Sequence, residues 1–206
     1  MIERGEIMKR LNMDEFKNYV VKFLDGDSDK KTLLVRGYFD KDKLLHVLES
    51  IRDSEKINEA LFVLGEAGIC DVPRLFNDVF LDKRFKSNTR LNTRYDFPGA
   101  IGTFTKWRQH IDYTFGNRYD LAVFYPVETV LFDPKDSEKF IKTVKNSLTN
   151  KNILITTNDF SQRPELLYDV VDEVLILDTK NKNEENKEQF ETIKSNLERD
   201  NKSLPY

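Results

Sequence analysis

The sequence predicts an α/β fold: a mainly parallel sheet with helices on both faces. Short apolar runs of strand length alternate with segments whose apolar residues recur at helical spacing, the signature of β–α units. The strand-length runs are nearly continuous in Leu, Val, Ile and Phe, which fits strands covered on both sides. Of 206 residues, 39% are hydrophobic and 15 are Phe, enough for one sizeable core. The expected organisation is a single domain over residues 1–180, interrupted by an irregular basic and aromatic insertion at 83–110. A polar helix or frayed tail follows over 181–206.

Met8, Leu11, Phe16, Val20 and Phe23 lie near helical spacing and predict a leading helix over 8–24. Asp25 to Lys30, "DGDSDK", breaks it. Thr32 to Arg36 reads as a strand, Gly37 as a turn, and "DKLLHVLESIR" as a helix laying Leu44, Leu45, Val47, Leu48 and Ile51 on the sheet. A second strand is expected over Ala60–Gly65 and a short helix near Pro73. Periodicity fades from Asp82 to His110, where Gly and Pro gather in "YDFPGAIG". "TFTKWRQHIDYTFG" reads as a resumed helix, and "YDLAVFYPVETVLF" is the most β-rich stretch. A helix from about Ser137 to Leu148, a strand over Asn152–Asp159, a short helix near Pro164–Tyr168 and a strand "VDEVLILDT" follow. The thin stripe Phe190, Ile193, Leu197 predicts a marginal terminal helix.

The totals exclude several classes. Lys and Arg number 33 against 36 Asp and Glu, a net charge of −3, so any nucleic-acid argument must rest on local clustering. The lone Cys70 rules out an intrachain disulfide and a multi-thiolate metal site, and the separated His46 and His110 argue against zinc. The N-terminus has no continuous apolar core, and no run approaches the roughly 18–20 residues that cross a bilayer. A cytoplasmic protein with no membrane association is therefore expected. Its Lys-, Asn-, Phe- and Ile-heavy composition suits a bacterial or phage accessory protein.

The stretch "LLVRGYFDKDKLLHVLESI" places Gly37 and Lys43 where a phosphate-binding loop would place them, between a strand and a helix. "LAVFYPVE" follows as an apolar strand with an acid at its end, "LFDPKDSEKFIKTVKN" as a loop and helix, "ILITTND" as a strand with polar residues at its end, and "VVDEVLILDT" as a closing strand. In this order the chain resembles a P-loop NTPase. Asp120 to Thr179 is most similar to the ATPase domain of ABC-type proteins, with Thr32 to Ile51 as its first half. The resemblance implies a three-layer sandwich, with Gly37 and Lys43 as cofactor-binding residues for ATP with Mg. It makes Glu128 the candidate general base. Asn158 takes the place of the histidine at the terminal phosphate, where an amide can hydrogen-bond phosphate or water as the polar sensor of AAA-type ATPases does; a turn-forming Asn-Asp after a buried strand is the competing reading. "TFTKW", Thr103 to Trp107, stands where an ABC signature loop would be.

The residues depart from that pattern where chemistry demands specific groups. Asp42 replaces the second loop glycine, and like charges about 4 Å apart repel by on the order of several kcal/mol in partly exposed surroundings. Leu44 replaces the Ser/Thr that would hold magnesium, and Pro126 and Val127 occupy the Walker B acid's region. The residues read equally as a strand–turn–helix in which Gly37 makes the turn and Asp40 or Asp42 caps the helix. The first βαβ unit would also suit phospholipase-D-like nucleases, but neither histidine has the lysine two positions later that their chemistry needs.

The largest local charge asymmetry lies between Lys83 and Gln109. Lys83, Arg84, Lys86, Arg90, Arg94, Lys106 and Arg108 face the single acid Asp96, interleaved with Phe85, Tyr95, Phe97, Phe104 and Trp107. Cations to track phosphates and rings to stack on bases are the ingredients of a single-strand binding surface. A basic loop docking on a protein partner, with the rings buried, is the competing reading. The sequence thus points first to a non-catalytic, P-loop-like subunit or regulator with no cofactor, acting through protein or nucleic-acid contacts. A divergent ATPase and a single-stranded nucleic-acid-binding module are the alternatives.

Overall fold

The computed structural model describes residues 8–65, 72–77, 79, 85–107, 119–157 and 162–206. The strand β1 (Met8–Leu11) precedes helix α1 (Met13–Leu24), which Asn12 starts with a capping box. The Asn12 Oδ1 accepts from the Glu15 amide at 3.0 Å, and the Asn12 amide donates to the Glu15 carboxylate at 3.1 Å. The expected helix over 8–24 is thus corrected at its start. Met8–Leu11 pairs in parallel with a distant strand, and that backbone ladder outweighs local spacing that fits a helix.

Strand β2 (Thr32–Arg36), helix α2 (Asp40–Asp53) and strand β3 (Glu59–Leu64) form the β–loop–α unit and its partner strand. Helix α3 (Val72–Phe76) follows. The hairpin of β4 (Arg94–Phe97) and β5 (Ala100–Lys106) lies in what reads as an irregular insertion and takes the first residues, Thr103–Lys106, of the expected resumed helix, whose residues 108–116 lie outside the described residues. Its turn is Pro98-Gly99, with Gly99 at φ +85°, the residue pair of a type II turn. Strand β6 (Leu121–Tyr125), a 3₁₀ turn (Glu128–Val130) and helix α4 (Pro134–Lys145) come next. Asp133 caps α4 by accepting from the amides of Lys135 and Asp136, so the helix starts three residues before the expected Ser137. Strand β7 (Lys151–Ile155), a 3₁₀ turn (Arg163–Leu167), strand β8 (Glu173–Leu177) and helix α5 (Glu184–Arg199) complete the chain.

The eight strands form one sheet in the order β1-β8-β2-β7-β6-β3-β5-β4, parallel throughout except for β4 against β5. Alternate strand residues feed two apolar layers. Leu33, Val35, Phe62 and Leu64 pack with α1 and α2 on one face, while Leu34, Leu61, Val63 and Leu154 pack with α4 on the other. The architecture is a three-layer α/β sandwich.

Numbered from β2, and leaving out β1 and the β4–β5 hairpin at the edges, the central strands run 5-1-4-3-2. The chain leaving β2 enters α2 on one face, whereas the turn after β7 sends Leu167 into the other. Adjacent parallel strands whose continuations part to opposite faces leave a crevice at their carboxyl ends. That crevice, between β2 and β7, is where the polar groups of interest lie. Among the described residues, no helix is long and apolar enough to cross a membrane.

Candidate functional site

Gly37 leaves β2 at φ +148°, and a Cβ there would lie 2.7 Å from the Leu177 carbonyl oxygen at the end of β8. Only glycine lets the loop run this close to the neighbouring strand. Phe39 then occupies the N-cap of α2 without a side-chain cap, so neither Asp40 nor Asp42 has the capping role the sequence suggests. Each acid has another partner. The Tyr125 hydroxyl, at the end of β6, donates to the Asp40 carboxylate at 2.9–3.0 Å. Burial pushes the Asp40 carboxyl above the ordinary aspartate range, against the pull of Lys43, Tyr125 and Lys41.

Lys43, in the first turns of α2, is completely buried. Its Nζ donates to the backbone carbonyls of Gly37 and Thr157, joining the loop after β2 to the segment after β7. Thr157 also turns to β6's continuation: its amide donates to Glu128 Oε1 at 2.7 Å, and its hydroxyl lies 3.3 Å from the same atom. Glu128 is only 7% exposed. It is not the exposed acid that commonly follows a strand, and its Oε1 is engaged by a backbone amide rather than facing open solvent. The structure therefore brings Gly37, Lys43 and Glu128 together around Thr157, at the carboxyl ends of β2, β7 and β6. Asn158 lies outside the described residues.

Asp42 has a separate environment. Lys182 Nζ lies 2.6 Å from its Oδ1, and the Asn186 side-chain amide donates to Oδ2 at 3.3 Å. Burial works to raise the Asp42 pKa, but Lys182, Thr179 and Asn186 prevail and hold it below the usual aspartate range. The Asp42 carboxylate is thus neutralised from the carboxy-terminal segment. Leu44 is buried in the apolar layer beneath α2.

The basic aromatic segment has four of its five rings inside, Tyr95 being half-buried. Phe85, Phe97 and Phe104 are buried around Phe62 and Phe76, with ring centroids 4.8–6.3 Å apart. Trp107, expected as a nucleic-acid contact, is 2% exposed and packs edge-on against Phe140 at 5.2 Å. This corrects its assignment: the ring serves the core between β5 and α4 and has no free face for a base. "TFTKW" is likewise mostly strand β5, paired with β3, rather than a signature-like loop. Arg94 pairs with Glu59 at 2.6 Å, Lys106 is half-buried, and Lys86 and Arg90 flank a hollow of about 530 Å³ with Tyr95. Lys83, Arg84 and Arg108 lie outside the described residues.

Comparison with protein-family models, with curated proteins and with solved structures gives no match. Among the described residues, no group of three or more His, Cys, Asp or Glu is placed to hold a metal ion.

The spacing around Gly37 was enough to single out Lys43, and the acid after β6 to single out Glu128. Tyr125, Thr157 and the Lys182–Asp42 bridge carry no local signal. Their partners lie between 29 and 140 residues away in sequence.

Proposed function

We propose that this chain is a non-catalytic, P-loop-like protein, a subunit or regulator that works through contact with a protein partner. The reading rests on one observation above all: Lys43 Nζ is fully buried and spent on the Gly37 and Thr157 carbonyls. A lysine that neutralises a nucleotide's terminal phosphates must present its ammonium to the ligand. Here the same ammonium joins two loops of the protein. The 5-1-4-3-2 sheet supports the P-loop-like part of the reading, because it sets the loop after β2 beside the segments that follow β6 and β7. Asp42, Leu44 and the buried Glu128 support the non-catalytic part. The cluster acts as a clasp that fixes three strand ends, leaving the outer surfaces to carry function.

Thermal unfolding with and without millimolar Mg-ATP tests this. A ligand at about 100 times its Kd stabilises by about 2.7 kcal/mol. The expected result is no shift in Tm for the parent. A shift that Lys43→Ala abolishes would replace this reading with the divergent ATPase.

A further inference from the structure

Helix α5 is 16 residues long, yet none of its side chains is buried. Helices in globular proteins draw most of their stability from a packed apolar face, and an isolated helix of this length is marginal in water. Among the described residues, what docks this segment is a small set of contacts: the Asn186 side-chain amide also donates to the Thr179 carbonyl at 2.9 Å and Lys180 lies 5.6 Å from the Phe190 ring, just after β8, while the others fall on the chain around the loop after β2 and the start of α2. Lys182 and Asn186 bind Asp42. Phe190 meets the Tyr38 ring edge-on at 5.1 Å. Tyr206 lies 5.1 Å from the same ring, and its carbonyl accepts from the Tyr38 hydroxyl at 3.2 Å.

Arg36 shows what this docking covers. It is the last residue of β2, at the crevice, and its side chain is 0% exposed. Its guanidinium lies 4.8 Å from the Tyr206 ring and donates to the Tyr168 hydroxyl. Beside these contacts the packing is open: a cleft of about 490 Å³ separates Tyr38 and Phe39 from the α5 face that carries Glu188 and Ile193. The segment is therefore pinned at a few points without being embedded.

We infer that residues 182–206 form a releasable strap that closes the carboxyl-end mouth of β2. The inference rests on the reading of that mouth as the P-loop-like site and adds its regulation. With the strap docked, Arg36, Tyr38 and Asp42 are engaged within the chain. With it released, one cation, one ring and one carboxylate at a switch-point crevice are uncovered together. The strap opens locally, because undocking it breaks partly buried hydrogen bonds, the Lys182–Asp42 ion pair and the contacts of the Phe190 and Tyr206 rings with Tyr38, Lys180 and Arg36, without exposing either apolar layer.

Amide hydrogen exchange on the full chain tests this, comparing the parent with Phe190→Ala/Tyr206→Ala. In the parent, α5 amides should exchange at least about 100-fold faster than those of β2, β6 and β7, as in a sub-global opening. In the double variant, amides of residues 37–43 should exchange about 10-fold faster or more while the sheet is unchanged. Lys182→Met, which removes only the Asp42 bridge, should move the same amides in the same direction if the double variant proves too unstable. Parent α5 amides as slow as the sheet, or unchanged exchange at 37–43 in both variants, would overturn the strap. A Tm shift by Mg-ATP in the released variants alone would strengthen the strap while refuting the view that the loop is purely structural. No shift in any variant, with the exchange changes present, supports both.

Discussion

Replacing Lys43 by methionine separates a structural clasp from a ligand-binding lysine. The substitution keeps an unbranched apolar stem and removes the ammonium. Two backbone carbonyls, of Gly37 and Thr157, lose their donor, and Asp40 loses the nearby positive charge that favours its ionised form. Leaving a buried acceptor unsatisfied costs about 1–3 kcal/mol, so the two carbonyls together cost about 2–6 kcal/mol. Relief of the ammonium's own desolvation offsets part of this, which leaves about 3 kcal/mol. At about 2.1 cal/mol/K per residue, 206 residues give an unfolding entropy of about 430 cal/mol/K, so the Tm should fall by about 7 °C. Urea and thermal unfolding followed by circular dichroism measure this directly. Lys142→Met is the control, since Lys142 is 70% exposed in a surface pair with Glu138 and should change stability by less than about 0.5 kcal/mol. If Lys43→Met unfolds within 1 kcal/mol (about 2 °C) of the control, the ammonium is not a clasp and the reasoning fails.

Gly37→Ala should destabilise by about 2 kcal/mol or more, because φ is +148° and the new Cβ would lie 2.7 Å from the Leu177 carbonyl oxygen; chemical denaturation checks it. The Asp40 carboxyl should titrate above its ordinary 3.8 by carboxyl-carbon NMR, and higher still in Tyr125→Phe, which removes the hydrogen bond favouring the ionised form. Because its folded pKa is raised, native Asp40 holds its proton longer than the unfolded chain does. Its contribution to stability is therefore present at low pH and falls as pH rises from 3.8 through the folded value, and the fall should be larger in Tyr125→Phe. Asp42 has the opposite sign: its lowered pKa gives stability above 3.8 that is lost as pH falls through the folded value, and Asp42→Asn should remove that acid dependence. Trp107→Ala should cost about 3–5 kcal/mol in urea unfolding, as for a buried aromatic; a stability equal to the parent's would restore the ring as a surface platform.

The sequence by itself determined the α/β class and five of the parallel strands. Thr32–Arg36, Glu59–Leu64, Leu121–Tyr125, Lys151–Ile155 and Glu173–Leu177 are apolar runs, and strands covered on both faces leave that pattern in any chain. It also located Gly37 and Lys43, because a glycine at a strand end followed by a helix is local information. Tertiary structure decided the rest. Met8–Leu11 reads as helix from its spacing and becomes strand because β8 offers a ladder. The 94–106 hairpin and the burial of Trp107 depend on the aromatic core beneath β3 and β5 and on α4, which no window of neighbouring residues contains. The meaning of Lys43 was decided in the same way. Only the placing of β2 between β7 and β8 brings the Thr157 carbonyl to its ammonium and Leu177 against Gly37. Local spacing fixes where a side chain leaves the backbone; long-range strand pairing and burial choose the group it meets, and hence whether a lysine faces a ligand or closes the fold.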